Sequence, residues 1–359
     1  MYIYDKSFFY NSIIKLNEEK IIEVISNKEE YYDFFSIPKK NGYREICAIR
    51  KSSILYEVQI GLKEYFSSFS ISNAAKGFIK NNSYFDFLNP HVNKKYYLRI
   101  DIKDFFGSIT KELIFDKLNA YCKFEDIVNY MVDLTTMDGK LPQGAVTSPI
   151  LSNIVFTKID QRIIKYCQSL INVFEDDEQK VNDVIYTRYA DDLLFSSDFL
   201  DFKNNAYFSY IIKKILNENG FKINYEKMKY GYNQMVLSGF VVGENIHLSR
   251  KKMNELNSLL YYFDKRETLT NKKYRPNLNK ITDNDLITNI NSLKIGEKNG
   301  KNIRFENITD LINYLSGYRA FLISVGKVNI NFDKQKEQNC NKINKIEKLI
   351  DELARKYLV

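Results

Sequence analysis

Tryptophan is absent from the 359 residues of the sequence, histidine occurs twice and cysteine four times. The cysteines are far apart along the chain: Cys47, Cys122, Cys167 and Cys340. None belongs to a CxxC pair, so neither a zinc site nor a disulfide framework is indicated, and we expect a protein of the reducing cytoplasm. The scarcity of histidine argues against a histidine general base and against a histidine-rich metal site.

Long apolar segments are also lacking. No apolar run approaches the length needed to span a bilayer, so we expect no membrane partner. The N-terminal segment, MYIYDKSFFYNSIIKLNEEK, carries charges too early and too often for a signal peptide. Hydrophobic residues make up 44% of the chain and charged residues 27%, which is typical of a soluble globular protein. The length allows two or three packed units with a sizeable core.

The positive charge of the chain is unevenly distributed. Residues 250–359 contain 22 Lys and Arg against 13 Asp and Glu, whereas the rest of the chain contains 31 against 32. The whole excess of basic charge therefore lies in the C-terminal third. Such asymmetry indicates a polyanionic partner, and the alternative is a solvated basic helical surface.

Hydrophobic periodicity predicts a mixed fold. Helices are expected at 1–35, 52–66, 111–134 and 207–219, and a turn-rich connector at 141–149 should lead into a long amphipathic helix through roughly Cys167. A β-hairpin is expected at 36–50 around Asn41-Gly42, and strands at 96–102 and 236–242, the latter paired with 246–249. After Arg250 the pattern is mostly helical, interrupted by a polar segment from about 268 to 285. The order indicates an α+β core followed by an all-α appendage.

Adjacent carboxylates mark the segment IYTRYADDLLFSS at 185–197, which has the pattern of a hairpin with Asp191 and Asp192 at its tip. Alone, such a pair is typical of a polar turn. A third carboxylate, Asp101, ends the strand 96–102, and would face the pair if that strand lay beside the hairpin. Three carboxylates at one point require cations, and hard oxygen ligands suit Mg²⁺. Two such ions are the apparatus of phosphoryl transfer, so the pattern indicates a nucleotide substrate.

Four stretches resemble the ordered motifs of reverse transcriptases: LRIDIKDFF at 98–106, LPQGAVTSPILSN at 141–153, YADD at 189–192 and GFKINYEKMKY at 220–230. The resemblance extends from about Ile37 to Val325. It implies an α+β right-hand polymerase with helical and hairpin fingers, an antiparallel, RRM-like palm and an α-helical thumb. The fingers would comprise 1–98, including the N-terminal helical segment, and the palm 99–247, with a fingers portion interleaved at about 111–145. The basic thumb, at 248–359, would bind RNA.

The resemblance also implies roles for the acidic cluster. Asp101 and Asp191 would be the main ligands of two Mg²⁺ ions, for which Mn²⁺ is a substitute, with Asp192 as a weaker third ligand and the carbonyl of Ile102 adding an oxygen. Lys227 falls where a lysine of the family protonates the departing pyrophosphate, and the alternative is a solvated lysine.

The nucleotide-binding residues follow from the same resemblance. Phe106 would be a steric gate that excludes the ribose 2′-hydroxyl, with Phe105 in the core. Gln143 would contact the incoming nucleotide and template, and Gly144 would allow the backbone to approach the base pair. Arg44 and Lys39, for which Lys40 is an alternative, would clamp the triphosphate.

Bacterial retron reverse transcriptases are similar to this chain in size and in several motifs. Their NAxxH element corresponds to FLNPH at 87–91, which keeps only the histidine, and their VTG element to LSG at 237–239. The thumb segment LSGYRAFLISV at 315–325 also resembles this group. The expected RNA-contacting residues are His91, Arg250, Lys251, Lys252, Tyr318 and Arg319. For His91, a structural role is the alternative.

A retron-type enzyme would copy part of its own structured noncoding RNA into single-stranded DNA, primed from an RNA 2′-hydroxyl, and act in anti-phage defence with an effector protein. The departures from the motifs leave open a related bacterial defence reverse transcriptase, protein-primed or template-independent. An RNA-dependent RNA polymerase and a catalytically inactive palm-fold RNA-binding module are the remaining alternatives.

Overall fold

The computed structural model describes residues 1–38, 42–170, 172–173, 181–182, 184–270, 282–293, 295, 297–298, 301–328 and 333–357. The chain divides into two compact units, Met1–Asn233 and Gln234–Val359. In the part of the chain that the structure describes, no helix combines the length and apolar character needed to cross a membrane.

The first unit is a mixed α and β structure. Its α-helices are α1 (Lys6–Phe8), α2 (Glu18–Ser26), α3 (Ile54–Phe66), α4 (Tyr84–Leu88), α5 (Lys111–Leu118), α6 (Glu125–Thr135), α7 (Ser148–Ser169) and α8 (Ala206–Asn217). Its strands are β1 (Tyr32–Pro38), β2 (Tyr43–Ile49), β3 (Tyr96–Lys103), β4 (Asn172–Val173), β5 (Val181–Asn182), β6 (Ile185–Tyr189), β7 (Asp192–Ser197), β8 (Lys222–Ile223) and β9 (Lys229–Tyr232). A π-helical turn occupies Phe9–Ile13, and 3₁₀ turns occupy Lys28–Tyr31, Asn89–His91 and Asn119–Tyr121.

Two of the predicted helices are interrupted. The helix expected over 1–35 ends at Ser26, and β1 begins at Tyr32 because this segment pairs with β2. The helix expected over 111–134 is divided into α5 and α6. Between these helices Tyr121 and Lys123 exchange backbone hydrogen bonds with Ile3, which a continuous helix would not permit.

A central antiparallel sheet organises the first unit in the order β6-β7-β3-β8, with β9 also paired to β3. Side chains alternate between the faces of a strand, so the register assigns each residue to a side. Leu98 and Phe195 are opposite each other, and the Phe195 ring lies 5.2 Å from the Phe208 ring of α8. The other face carries Asp101 opposite Asp192. The sheet therefore separates a helix-covered core from an acidic face.

The hairpin expected at 36–50 is confirmed as β1 and β2, while Lys39 lies outside the described residues. Several of its apolar side chains are exposed: Phe34, Phe35, Ile37 and Tyr43. The base of the hairpin is fixed to the connector before α7, because the Cys47 N–H donates to the Gln143 carbonyl at 3.0 Å.

The second unit combines short strands with helices. Its strands are β10 (Met235–Leu237), β11 (Phe240–Val242), β12 (Ile246–Leu248), β13 (Glu297–Lys298) and β14 (Lys301–Asn302), and its helices are α9 (Arg250–Thr270), α10 (Asp283–Ser292), α11 (Ile308–Val328) and α12 (Asp333–Tyr357). The single strand expected over 236–242 is wrong. Ser238 and Gly239 have φ angles of 48° and 91°, so the chain turns there and β10 pairs back onto β11.

The core of the second unit is formed by leucine and isoleucine side chains of its helices, among them Leu256, Leu286, Leu311 and Ile346. This unit begins at Gln234 and includes the sheet β10-β11-β12. The palm and thumb bounds, 99–247 and 248–359, stay predictions about polymerase subdomains. Most of the polar segment from 268 to 285 lies outside the described residues.

Candidate active site

The predicted carboxylates are brought to one end of the central sheet. Asp101, 3% exposed, is paired with Asp192 across β3 and β7. Ala190 and Asp191 form the turn between β6 and β7, with Ala190 at a φ of 54°. The Ile102 N–H donates to the Asp191 carbonyl at 2.9 Å, which ties this turn to β3. The backbone therefore places the YADD turn directly beside Asp101.

Asp101 is held by residues that follow β8. Lys227 Nζ lies 3.0 Å from its Oδ2 and Asn224 Nδ2 lies 3.1 Å from its Oδ1. The Asn224 N–H also donates to the Asp101 carbonyl at 2.8 Å. Lys227 keeps 52% of its side chain exposed, so it neutralises Asp101 while remaining accessible from solvent.

Asp192 is bound by a different cation. Arg99 Nε and Nη2 donate to Asp192 Oδ1 and Oδ2 at 2.8 and 2.9 Å, the two-pronged geometry of a strong ion pair. Only 14% of each side chain is exposed. The carboxylate of Asp192 is therefore occupied by Arg99, two residues before Asp101 on the same strand.

Electrostatics sets the two adjacent aspartates apart from ordinary surface carboxylates. Burial raises the pKa of Asp191, and the Asp101 charge raises it further, against Lys227 and Arg44. Burial also raises the pKa of Asp192 to about 6, although Arg99 opposes the shift. The charge of Arg44, on the hairpin β1–β2, is the smaller of the two cationic influences that lower the pKa of Asp191. Added positive charge would stabilise the ionised form of both carboxyls.

The donor chemistry of this end of the sheet fits a hard divalent cation in part. Asp101 and Asp191 offer carboxylate oxygens, which such ions prefer. Within the described ranges, however, no group of three or more acidic, histidine or cysteine side chains is arranged to hold a metal ion. Asp192 is turned to Arg99 instead. Ile102 is buried beside these residues, and the role of its carbonyl stays a prediction.

Aromatic residues border the acidic face. Phe105 is buried against Phe156 and Phe221, which confirms its expected place in the core. Phe106 is half-buried, and its ring centroid lies 6.2 Å from that of Phe78. Phe78 in turn lies 6.3 Å from the Tyr189 ring. The predicted gate therefore belongs to a row of rings beside the YADD turn, and its gating role stays a prediction.

The sequence did not identify the segment that carries Phe78. Its backbone runs along β6, where the Lys76 N–H donates to the Arg188 carbonyl at 2.7 Å. A Cβ on Gly77 would lie 2.9 Å from the Ala190 nitrogen, so only glycine permits this approach. These contacts are between distant parts of the chain, and periodicity carries no signal for them.

A buried ion pair beneath the YADD turn was also missed. Arg188 and Asp160 are fully buried, and Arg188 Nη2 lies 2.9 Å from Asp160 Oδ2. Arg188 Nη1 donates to the Ala190 carbonyl at 3.2 Å, and the Tyr186 hydroxyl donates to Asp160 at 2.7 Å. A signal was present, since Asp160 lies among the apolar positions of α7 beside Ile159. A carboxylate on a buried helix face requires a partner.

The connector at 141–147, before α7, packs against strand β2. Gly144 has a φ of 126°, and a Cβ there would lie 2.8 Å from the Cys47 carbonyl oxygen. The close approach that this glycine allows is therefore to β2. The predicted contacts of Gln143 and Gly144 with nucleotide stay predictions, and both residues are at least partly accessible.

Two of the expected RNA-contacting residues are buried in the structure. His91 is fully buried, and its Nδ1 and Nε2 lie 2.6 and 2.8 Å from Ser196 Oγ and Thr187 Oγ1. Burial lowers the pKa of His91 to about 3, so the ring is a neutral link between the 3₁₀ turn at Asn89–His91 and the sheet. Tyr318 is also buried, and its hydroxyl lies 3.2 Å from Glu255 Oε2. Both side chains are hydrogen-bonded to partners inside the protein, and their contact with RNA stays a prediction.

The remaining expected RNA contacts are more accessible. Arg250 and Lys251 are exposed at the start of α9. Lys252 lies 2.9 Å from Glu255, and Arg319 Nε donates to Glu347 at 2.6 Å. Their contact with RNA stays a prediction.

Comparison with known proteins agrees with this arrangement. A family model described as reverse transcriptase (RNA-dependent DNA polymerase) matches residues 37–291. The chain is 26% identical over 253 residues to the retron Ec86 reverse transcriptase of Escherichia coli, covering 69% of this chain and 75% of that protein. It is 28% identical over 247 residues to the Escherichia coli retron Ec73 reverse transcriptase, covering 63% and 73%.

A retron reverse transcriptase from another organism and a solved structure are also similar to the chain. The retron Mx65 reverse transcriptase of Myxococcus xanthus is 27% identical over 252 residues, covering 64% of this chain and 56% of that protein. A structure of apo telomerase from Candida tropicalis has a TM-score of 0.48 at 11% identity, covering 90% of this chain and 56% of that chain, and adds nothing to the assignment. The family model spans more than half of the chain, and with the retron relatives it shows that this chain belongs to the reverse transcriptase family, as an RNA-directed DNA polymerase of bacterial retron type.

Proposed function

We propose that this polymerase copies part of a cognate structured noncoding RNA into single-stranded DNA, beginning at a 2′-hydroxyl of that RNA. The observation that carries the proposal is the meeting of Asp101 and Asp191 at one end of the sheet, with Lys227 bound to Asp101 and Arg44 acting on Asp191. Opposite charges are thus already arranged around a point where a triphosphate and a growing strand end can meet.

In this proposal Asp101 and Asp191 hold the divalent metal that the family generally uses, which is Mg²⁺, with Mn²⁺ as a substitute. When bound there, two such ions would lower the pKa of the attacking hydroxyl and stabilise the charge of the leaving pyrophosphate. Lys227 would exchange its contact with Asp101 for one with the pyrophosphate and donate a proton to it. Asp192, held by Arg99, would be peripheral.

The substrate would be positioned by the residues bordering the acidic face. Arg44 and Lys39, from the fingers hairpin, would bind the triphosphate, and Gln143 would contact the nucleotide in the palm. The Phe106 ring would exclude a ribose 2′-hydroxyl, so the enzyme would select dNTPs. The exposed ring of Phe78, 6.2 Å from Phe106, would support that gate.

The noncoding RNA would be held partly by the basic thumb. Arg250 and Lys251 are exposed at the start of α9 and suit contacts to phosphate groups, which position RNA without reading its sequence. The DNA product would remain joined to the RNA, and the complex would act with an effector protein in anti-phage defence.

Sequencing the nucleic acid that copurifies with the full chain, expressed from its native genomic region, tests this proposal. We expect one defined RNA joined to complementary DNA through a 2′-linkage, and RNA without DNA for Asp191→Asn. DNA lacking any RNA linkage, or DNA unrelated to the RNA, would contradict retron-type priming.

A further inference from the structure

A row of tyrosine and lysine side chains extends from the outer surface of α8 to the segment after β8. We call it the tyrosine–lysine stripe and define it as Tyr207, Tyr210, Lys213 and Tyr225. The three tyrosines are 66%, 57% and 58% exposed. The Tyr207 and Tyr210 rings are stacked at 6.2 Å, and Lys213 Nζ lies 5.6 Å from the centre of the Tyr225 ring. Tyr210 and Lys213 are three residues apart on α8, so they are adjacent on its surface and the four residues are successive neighbours.

The three stripe residues on α8, Tyr207, Tyr210 and Lys213, lie on the side of the sheet opposite the catalytic carboxylates. Phe195 of β7, which contacts Phe208 of α8, is three residues from Asp192, so the two side chains point to opposite faces. Helix α8 buries Phe208 and Ile212 toward that face and leaves Tyr207 and Tyr210 outward. A molecule on the stripe would not compete with a primer and template at the acidic face.

The edge of the sheet repeats the same chemistry on the same face. Tyr232 of β9 is opposite Tyr96 of β3, with ring centroids 5.6 Å apart. Lys95 Nζ lies 5.3 Å from the Tyr96 ring and 6.0 Å from the Tyr232 ring. Tyr96 shares its face with Leu98, the partner of Phe195. Exposed tyrosine beside lysine is thus a recurring feature of this side.

We propose that the tyrosine–lysine stripe binds an unpaired stretch of RNA outside the active site. Exposed rings stack on bases that are not paired, and neighbouring lysines attract the phosphates. Protein interfaces are enriched in tyrosine but depleted in lysine, so this composition favours RNA over a protein partner. Two acids lie near the stripe in sequence: Glu218 is paired with Arg162 at 2.7 Å, and Glu226 is exposed beside Tyr225.

This inference rests on the proposed function, in which only part of the noncoding RNA is copied and the rest is free to bind elsewhere on the protein. The stripe would hold a single-stranded segment of that RNA while synthesis continues on the other side of the sheet. It adds an RNA contact in the first unit to those expected at α9.

The test measures binding of a labelled 20-nucleotide oligouridine to the full chain by fluorescence anisotropy, with a saturating RNA template–DNA primer hybrid present. The variants are Tyr207→Ala/Tyr210→Ala/Tyr225→Ala and its matched control with phenylalanine at the same positions. We expect binding at least about tenfold weaker for the alanine variant and within about twofold of the wild type for the phenylalanine variant, because stacking needs only the ring. Tyr4→Ala, at an equally exposed tyrosine, should leave binding unchanged.

Salt dependence supplies a second readout. Lys213→Gln should lower the slope of log Kd against log salt by about 0.7, the value for one phosphate contact on a single strand. Extension of the annealed primer should stay at the wild-type rate in all these variants. Wild-type binding by the alanine variant, equal loss by the phenylalanine variant, or displacement of oligouridine by the hybrid would overturn the inference. Failure of the wild type to extend primers would contradict the proposed function and leave the binding result standing.

Discussion

The buried ion pair between Arg188 and Asp160 supports the YADD turn from beneath, and breaking it is expected to cost both stability and activity. Asp160→Ala would leave a fully buried guanidinium without its counter-charge. Breaking a buried pair in this way costs about 3–5 kcal/mol. At roughly 2–4 °C per kcal/mol for a unit of this size, the melting temperature should fall by about 6–20 °C.

A compensated variant separates stability from catalysis. Arg188→Met with Asp160→Leu replaces the pair by apolar side chains, which is often close to neutral. Tyr186→Phe must be added, because the Tyr186 hydroxyl donates to Asp160 at 2.7 Å and would otherwise be buried without an acceptor. This triple variant should melt within about 8 °C of the wild type, since only about 1–2 kcal/mol then separates the two.

Activity should not recover with stability. The triple variant still lacks the hydrogen bond from Arg188 Nη1 to the Ala190 carbonyl, at a turn with a φ of 54°. A hydrogen bond from a charged donor contributes about 1.5–3 kcal/mol, which corresponds to a roughly 10- to 100-fold lower rate of primer extension. Circular dichroism melting and extension kinetics measure the two effects. A single variant as stable as the wild type, or a triple variant with full activity, would refute the reasoning.

Further predictions concern residues around the site. Burial lowers the pKa of His91 from 6.5 to about 3, so between these pH values the unfolded chain binds more protons than the folded chain. The free energy of unfolding should therefore fall as the pH falls below 6.5, by about 2 kcal/mol at pH 5. Urea titrations measure this dependence, and His91→Gln should remove it. Phe106→Ala should raise the incorporation of rNTP relative to dNTP in single-nucleotide assays. An unchanged preference for dNTP over rNTP would refute the gating role of Phe106. Gly144→Ala should lower the melting temperature, because its Cβ would lie 2.8 Å from the Cys47 carbonyl oxygen at a φ of 126°, whereas Gly139→Ala has no such contact and serves as a control for strain alone.

The local sequence pattern was sufficient to predict the strands and the helix around the site. Alternating side chains predicted β3 and the hairpin β6–β7, and the expected pairing of β3 beside that hairpin is confirmed by the register of Asp101 with Asp192. Helix α7 begins at Ser148 and ends at Ser169, close to its expected bounds. These features depend on neighbours within a few residues, so the sequence contains their signal.

Contacts between residues far apart in the sequence could not be predicted from local pattern. Nothing in the local sequence indicates that Arg99 pairs with Asp192. His91 was expected to contact RNA, but α4 and the sheet bury it. The burial of Tyr318 depends likewise on Glu255, 63 residues earlier. Charge and aromaticity in a sequence indicate what a residue is able to do, whereas burial decides whether it meets a ligand.

Extension of a labelled DNA primer on an RNA template by the full chain, with dNTPs and Mg²⁺, tests the central claim most directly. We predict extension by the wild type, loss of at least ~10³-fold for Asp191→Asn, and clearly smaller loss for Asp192→Asn, because the Asp192 carboxylate is already paired with Arg99. Extension by Asp191→Asn at the wild-type rate, or no extension by the wild type on several RNA templates, would contradict the account.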